Sequence, residues 1–216
     1  MQELMLLAAS GLAREVLATV RVSGQYRVTG FLDDAPGLQG TLIDGVPVAG
    51  SIDDASFFHD ARFLACVGSG TGRREIVQRL ARLGITDDRF GTVLEQGVRV
   101  PPGCTVGRGS ILLANVVLTA GVTVGAHVVA MPQVTMTHDN VVADYATLAA
   151  GVTLGGSVHI GSAAYLGMNS SVRQGLRIGR ESTLGMGAVL LEDLPSHETW
   201  AGVPAKPIRQ HAAHIQ

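Results

Sequence analysis

Two hydrophobic rhythms run along the chain, and one gives way to the other near residue 92. In the first stretch, short apolar runs alternate with helical spacing. Leu4-Met5-Leu6-Leu7-Ala8 predicts a strand, Ser10-Gly11 a turn, and Leu12 to Val20 a helix with one apolar face. Tyr26 to Leu32 predicts a second strand, closed by Asp33-Asp34, and Arg62 to Val67 a third, ended by Gly68-Ser69-Gly70. Arg73 to Leu83 predicts a second amphipathic helix stopped by Gly84. This order implies a small parallel α/β sheet with helical crossovers, and such sheets take ligands at the carboxyl ends of their strands. The loops there hold Ser10, Gly11, Asp33, Asp34, Gly68 and Ser69 as candidate binding residues.

Beyond residue 92 an aliphatic residue recurs every six positions in one register, from Val100 through Val106, Leu112 and Leu118 to Leu184 and Leu190. Four positions after each stands a small or β-branched residue, as at Cys104, Ser110, Val116 and Val122. A period of six fits neither a helix nor simple alternation. It fits a hexapeptide β-solenoid, in which three short faces make one triangular coil of 18 residues with the aliphatic side chains inward. Two units follow: residues 1–92, a small α/β domain, and residues 93–216, a parallel β-helix with a C-terminal tail.

Composition sharpens this reading. Apolar residues make up 46% of the 216 and charged residues only 16%, which excludes a disordered chain. Aromatics are 4% and glycines number 28, so the core is aliphatic and thin. A formal net charge of −2 gives no basic field for nucleic acid or anionic lipid. Cys66 and Cys104 form neither a disulfide framework nor a thiolate metal site, which suits a reducing cytoplasm. The start of the chain lacks a basic leader region and reads as a strand, so no signal peptide is expected. Gly109 to Thr137 carries no charged side chain and is long enough to span a bilayer, but a membrane helix has no reason to keep a six-residue register through Pro132.

With these residues in view, the chain resembles the left-handed β-helix acetyltransferases that carry an N-terminal Rossmann-like domain. Within that family it is similar to the nucleotide-amino-sugar N-acetyltransferases and the sialic acid O-acetyltransferases. The markers are Ala8-Ala9-Ser10-Gly11-Leu12-Ala13-Arg14-Glu15-Val16, Phe31-Leu32-Asp33-Asp34, His138-Asp139 and Ala201-Gly202-Val203-Pro204-Ala205-Lys206. The left hand of the solenoid comes from the resemblance alone. So does a homotrimer, with acetyl-CoA in the groove between neighbouring solenoids and a nucleotide-linked amino sugar on the N-terminal domain. Where relatives carry a first Gly and a His in the opening turn, this chain has Ala8 and Leu12.

From the residues alone His138 and Asp139 read either as a polar corner of the solenoid or as a catalytic pair, and the resemblance favours the catalytic pair. Amide formation from a thioester needs an amine relieved of its proton, which an imidazole can accept while a carboxylate orients the ring. Adjacent strand residues point to opposite faces, so the pair converges only at a corner of the coil. The resemblance places acetyl-CoA contacts at Thr147, Gly156 and Met168, and leaves Arg173, Arg177, Lys206 and Arg209 as candidate phosphate partners. Arg73 reads either as part of the nucleotide pocket or as a solvated helix residue. A three-histidine zinc site, as in γ-class carbonic anhydrases, finds no short-spaced pair among His127, His138 and His159, so no metal is expected. The activity that the resemblance implies is acetyl transfer from acetyl-CoA to the amino group of a nucleotide-linked 4-amino sugar. Its rivals are O-acetylation of sialic acid and a non-catalytic, nucleotide-binding trimer.

Overall fold

A computed structural model describes residues 1–208; Arg209, one of the candidate phosphate partners, lies outside them. The N-terminal unit opens with β1 (Glu3–Leu7), α1 (Gly11–Ser23) and β2 (Arg27–Leu32), continues through β3 (Leu42–Ile43) and β4 (Val46–Gly50), and ends with β5 (Arg62–Ala65) and α2 (Gly70–Arg82). Its sheet runs β3-β4-β2-β1-β5, parallel except for the β3–β4 hairpin. The sequence pattern predicted β1, β2, β5 and both helices. The hairpin escaped it, although Asp44-Gly45, at φ 47° and 79°, is the left-handed dipeptide that a two-residue hairpin turn requires.

The helix starts follow from their caps. Ser10 Oγ accepts the Ala13 amide at 3.2 Å, and Ser69 Oγ accepts the Gly72 amide at 3.3 Å. α2 thus begins at Gly70, three residues earlier than the apolar spacing suggested, because the cap rather than the periodicity sets the first turn.

β6 (Val93–Leu94) carries the chain into the solenoid, whose two-residue strands run from Thr105–Val106 to Val189–Leu190. Each strand pairs in parallel with the strand 18 residues away, for example Thr123 with Thr105 and with Val141. The result is three stacked sheets, two of five strands and one of eight that includes β6 and the final hairpin of Thr199–Ala201 with Lys206–Pro207. The inward aliphatic residues and the small residues four positions later form one continuous buried core from Leu112 to Leu194. Val100, expected as the first inward residue, is instead 38% exposed, because the first strand on its face is Val117–Leu118, one coil later.

Every corner turns on one left-handed residue. From Gly103 to Gly187 each sixth residue has positive φ, and nine of these fifteen are not glycine. Asn115, His127, Gln133, Asp139, Tyr145, Ser157, Ala163, Asn169 and Glu181 all adopt a conformation that costs an L-residue about 1–2 kcal/mol when unsupported. The support is the ladder itself: the Asp139 amide donates to the Ala120 carbonyl at 2.8 Å and the Ser157 amide to the His138 carbonyl at 2.8 Å.

The N-terminal unit is fused to the eight-stranded face. Ile111, Val129 and Leu113 point out of the solenoid into the core built by Leu4, Leu6, Leu12 and Val16. Arg73, fully buried on α2, locks this seam. Its guanidinium donates to the carbonyls of His127 (2.8 Å), Val67 (2.8 Å), Gly68 (3.1 Å), Tyr145 (2.6 Å) and Ala146 (2.9 Å). Arg73 therefore neither lines a nucleotide pocket nor faces solvent. Burial pulls it down to about 10, which leaves it cationic at neutral pH with carbonyl dipoles as its only polar contacts. Gly70 sits in the same seam, and a Cβ there would lie 2.1 Å from the Tyr145 carbonyl oxygen. No described helix is long and apolar enough to cross a membrane.

Candidate active site

His138 and Asp139 occupy the corner that joins Thr135–Met136 to Val141–Val142. Because Asp139 takes the left-handed slot, at φ 58°, its side chain swings toward its neighbour instead of away from it. His138 Nδ1 and Asp139 Oδ2 are 2.8 Å apart, so the strand-geometry obstacle to their pairing is removed by the corner. Within one chain both side chains are open to solvent, at 63% and 67% exposure.

Glycines in the adjacent coils make room for the pair. Gly156 is the residue one coil beyond His138, and a Cβ on it would stand 2.2 Å from His138 Nε2. Gly121 is one coil before Asp139, and a Cβ there would stand 2.8 Å from Asp139 Oδ1. Gly156, assigned above to acetyl-CoA, thus first serves as the floor beneath the imidazole. Thr137 Oγ1 donates to the Leu154 carbonyl (2.8 Å) and Asn140 Nδ2 to the Gly155 carbonyl (2.8 Å).

The other acetyl-CoA candidates divide. Met168 is exposed on a neighbouring corner of the solenoid. Thr147 is buried, and its hydroxyl donates to the Gly68 carbonyl at 2.8 Å. Its side chain therefore ties the solenoid to the N-terminal unit and is not presented to a cosubstrate, as its outward strand position lies under α2. Among the phosphate candidates, Arg173 and Arg177 are exposed, whereas Lys206 pairs with Glu192 at 2.5 Å.

At the carboxyl ends of β1, β2 and β5 lies a cavity of about 550 Å³ lined in part by Ala8, Asp33, Asp34, Glu75, Arg79 and Arg82. Asp33 is already engaged: Oδ2 accepts the Ala9 amide at 2.7 Å and Oδ1 the Ala35 amide at 2.8 Å. Asp34 accepts from Arg79 at 2.5 Å and from the Ile52 amide at 3.1 Å. Arg79 also binds Asp53 at 2.6 Å, which holds the Asp53 carboxyl below its ordinary range. Ser10, Gly11, Gly68 and Ser69 do not line this cavity. Ser10 Oγ is consumed by the Cys66 carbonyl (2.5 Å) and its capping bond, Gly68 by Arg73 and Thr147, and Ser69 by the cap of α2. Arg79 and Arg82 were missed in the sequence because they lie three turns into a helix, away from any glycine-rich signal.

His127 is the third notable imidazole. It is buried in the seam, stacked on Tyr145 (ring centroids 5.1 Å apart) and met edge-on by Phe90 (4.8 Å). Its Nδ1 makes no hydrogen bond, and burial lowers its pKa to about 4. His159 is half-buried on a strand of the face that also carries Val141 and Arg177. Among the described residues no three His, Cys, Asp or Glu side chains converge as a metal site would need.

A fused α/β unit on a hexapeptide solenoid, with a His–Asp pair on an outer corner, defines the class of solenoid acetyltransferases. Residues 3–80 match the model of the PglD N-terminal domain. The acetyltransferase domain of PglB from Neisseria gonorrhoeae FA1090 is 28% identical, covers 96% of this chain and 100% of its own, and superimposes with a TM-score of 0.87. The same domain is known in complex with acetyl coenzyme A (28% identity, 96% and 99% coverage, TM-score 0.86). PerB from Caulobacter crescentus, in complex with CoA and GDP-perosamine, has the same fold at 24% identity, with 97% and 98% coverage and a TM-score of 0.88. A 2,3,4,5-tetrahydropyridine-2,6-dicarboxylate N-acetyltransferase of Enterococcus faecalis is 49% identical over 39 residues, 18% of this chain and 17% of that protein's length. Residues 3–80 thus match a PglD-type N-terminal domain, and the chain as a whole has the fold of the left-handed β-helix acetyltransferases.

Proposed function

We propose that the protein transfers the acetyl group of acetyl-CoA to the amino group of a nucleotide-linked 4-amino sugar, with His138 as general base. The observation that carries this is the 2.8 Å contact between His138 Nδ1 and Asp139 Oδ2 on an exposed corner. Asp139 accepts the Nδ1 proton and so fixes the tautomer that leaves Nε2 as the basic nitrogen. The substrate amine attacks the thioester carbonyl and loses a proton to Nε2. The tetrahedral intermediate then collapses, the C–S bond breaks, and the imidazolium returns the proton to the departing thiolate. The nucleotide moiety is assigned to the cavity at Asp33, Asp34, Arg79 and Arg82, where the exposed Arg82 is placed to meet the charge of a diphosphate while Arg79 is already held by Asp34 and Asp53. Met168 and the backbone at Gly156 are the assigned contacts of acetyl-CoA.

The same reading makes the working unit a homotrimer. The N-terminal unit sits on the face formed by Ile111, Val129 and Thr147, whereas the dyad occupies the vertex between the two other faces. A sugar held on one chain's N-terminal unit therefore meets a dyad most directly on a neighbouring chain, and a neighbour also supplies the cover that an exposed dyad needs to work out of bulk water. Two unpaired cysteines and the acetyl-CoA cosubstrate suit the cytoplasm as its place of work.

The deciding assay is acetyl-CoA-dependent thiol release against UDP-, GDP- and dTDP-linked 4-amino sugars and sialic acid. Turnover on one amino sugar, reduced by about 10²–10⁴ in His138→Ala, is the expected result. Activity confined to sialic acid moves the reaction to O-acetylation, and a His138→Ala variant with full turnover refutes the assigned base. A light-scattering mass of one subunit at working concentration refutes the inter-subunit site.

A further inference from the structure

Among the described residues the inward wall of the solenoid buries small serines at 110, 170 and 182 but a single carboxamide, Asn140, which packing alone does not account for. The slot four residues after each inward aliphatic residue is filled by Val122 and Val158 in the coils on either side of Asn140, yet Asn140 places a carboxamide there, fully buried. Its Nδ2 donates to the Gly155 carbonyl at 2.8 Å, and its Oδ1 has no partner. A buried acceptor without a partner is unfavourable, and a valine would fill the slot without one. The amide is spent on a single peptide group, Gly155–Gly156, which is the one the His138 ring rests on: any Cβ at 156 would lie 2.2–2.3 Å from Nε2 and Cε1. Thr137, on the other side of the dyad, holds the preceding carbonyl, Leu154.

We infer that Asn140 is a positioning residue for His138, pinning the Gly155–Gly156 peptide so that the imidazole keeps the height and tilt at which Nε2 meets the substrate amine. Its amide trades stability of the solenoid wall for a fixed seat beneath the base. The inference rests on His138 being the base, and its test separates the two.

The experiment compares the full-length wild type with Asn140→Val, Asn140→Ala, His138→Ala and the double variant His138→Ala/Asn140→Val. Ala fits the slot without strain, since Ala146, Ala164 and Ala188 fill it in other coils. Asn140→Val is expected to keep or raise the thermal midpoint, to leave KM for acetyl-CoA within about twofold, and to lower kcat by roughly tenfold or more, as a small misplacement of a catalytic group does. Asn140→Ala is expected to lose kcat similarly, and it carries the test if the valine variant does not fold. In the double variant the loss is expected to equal that of His138→Ala alone, because both changes disable one unit. Wild-type kcat in the folded Asn140 variants, or a loss that adds to that of His138→Ala, overturns the inference while leaving His138 as base. Full turnover in His138→Ala overturns the functional reading itself.

Discussion

Lowering the pH from 7 to 4.5 is expected to weaken the seam between the N-terminal unit and the solenoid, because His127 must stay neutral there. The ring is enclosed by Phe90 and Tyr145, and burial lowers its pKa from 6.5 to about 4, with Asp87 and Asp144 opposing and Arg73 reinforcing the shift. Between those two values the unfolded chain holds the proton and the folded chain does not. Stability therefore rises with pH through that window, is complete above about 6.5, and drains as the pH falls toward 4. The linkage corresponds to about 2.5 kcal/mol lost by pH 4.5 and about 3 kcal/mol below pH 4, a large share of the ~5–15 kcal/mol that holds most domains folded. Urea-unfolding free energies from pH 4.5 to 8 measure it. The control is His127→Asn, since asparagine already occupies the same left-handed corner at 115 and 169 (φ 61° and 56°). The variant is weaker at neutral pH through lost ring contacts, but it keeps the acid-labile carboxylates Asp44, Asp53 and Glu181, whose ordinary acid loss then cancels in the comparison. Wild type is expected to lose about 2 kcal/mol more than His127→Asn between pH 7 and 4.5. Parallel pH profiles for the two proteins would refute a neutral, buried His127.

Two further outcomes follow from the same seam and its neighbouring sheet. Arg73→Met removes the donor to five carbonyls, the contacts to His127 and Ala146 among them buried, and the expected cost is about 3–5 kcal/mol in urea unfolding, with Arg73→Lys recovering only part because an ammonium cannot fork across them; a loss under about 1 kcal/mol would mean the seam is held by apolar contact alone. Cys66 is fully buried and its thiol is pushed far up by burial, so titration with a thiol reagent is expected to count only Cys104 in the native protein and both after denaturation. Equal native rates at the two thiols would contradict that burial.

What could be read in advance was whatever the chain repeats. The six-residue register named the solenoid because one inward side chain per strand is a strict requirement, met from Leu112 to Leu190. The corners were not legible in the same way. The ladder holds their left-handed residues in place, so His127, Tyr145 and Glu181 stand where glycine or asparagine would be guessed. Asp139 looked misdirected for the same reason, since two-residue alternation fails at a corner. Contacts across the seam were hidden by distance along the chain: nothing near Arg73 announces that it will meet Tyr145, 72 positions on. The loop serines carry a duty that the strand-end pattern does not announce, because Ser10 and Ser69 cap helix starts. Asn140 was the informative oversight, a lone carboxamide in a column of aliphatic residues.

The left-handed corner gives the dyad a kind of portability. Asp139 bends toward His138 because the wall dictates that φ at every sixth residue, so the convergence belongs to the scaffold and owes nothing to a specialised loop. The address of the pair is set by two vacancies, Gly121 one coil before the aspartate and Gly156 one coil after the histidine. A His-Asp dipeptide written 18 residues later, at Gly156 and Ser157, would need glycine at 139 and at 174, where Asp139 and Gln174 now stand. Placing such a pair on the wall is thus a matter of these four positions and of the slot that Asn140 fills, occupied by Val158 one coil on, and the pair can be shifted along the axis in steps of one strand spacing, about 4.8 Å, without redesigning a fold.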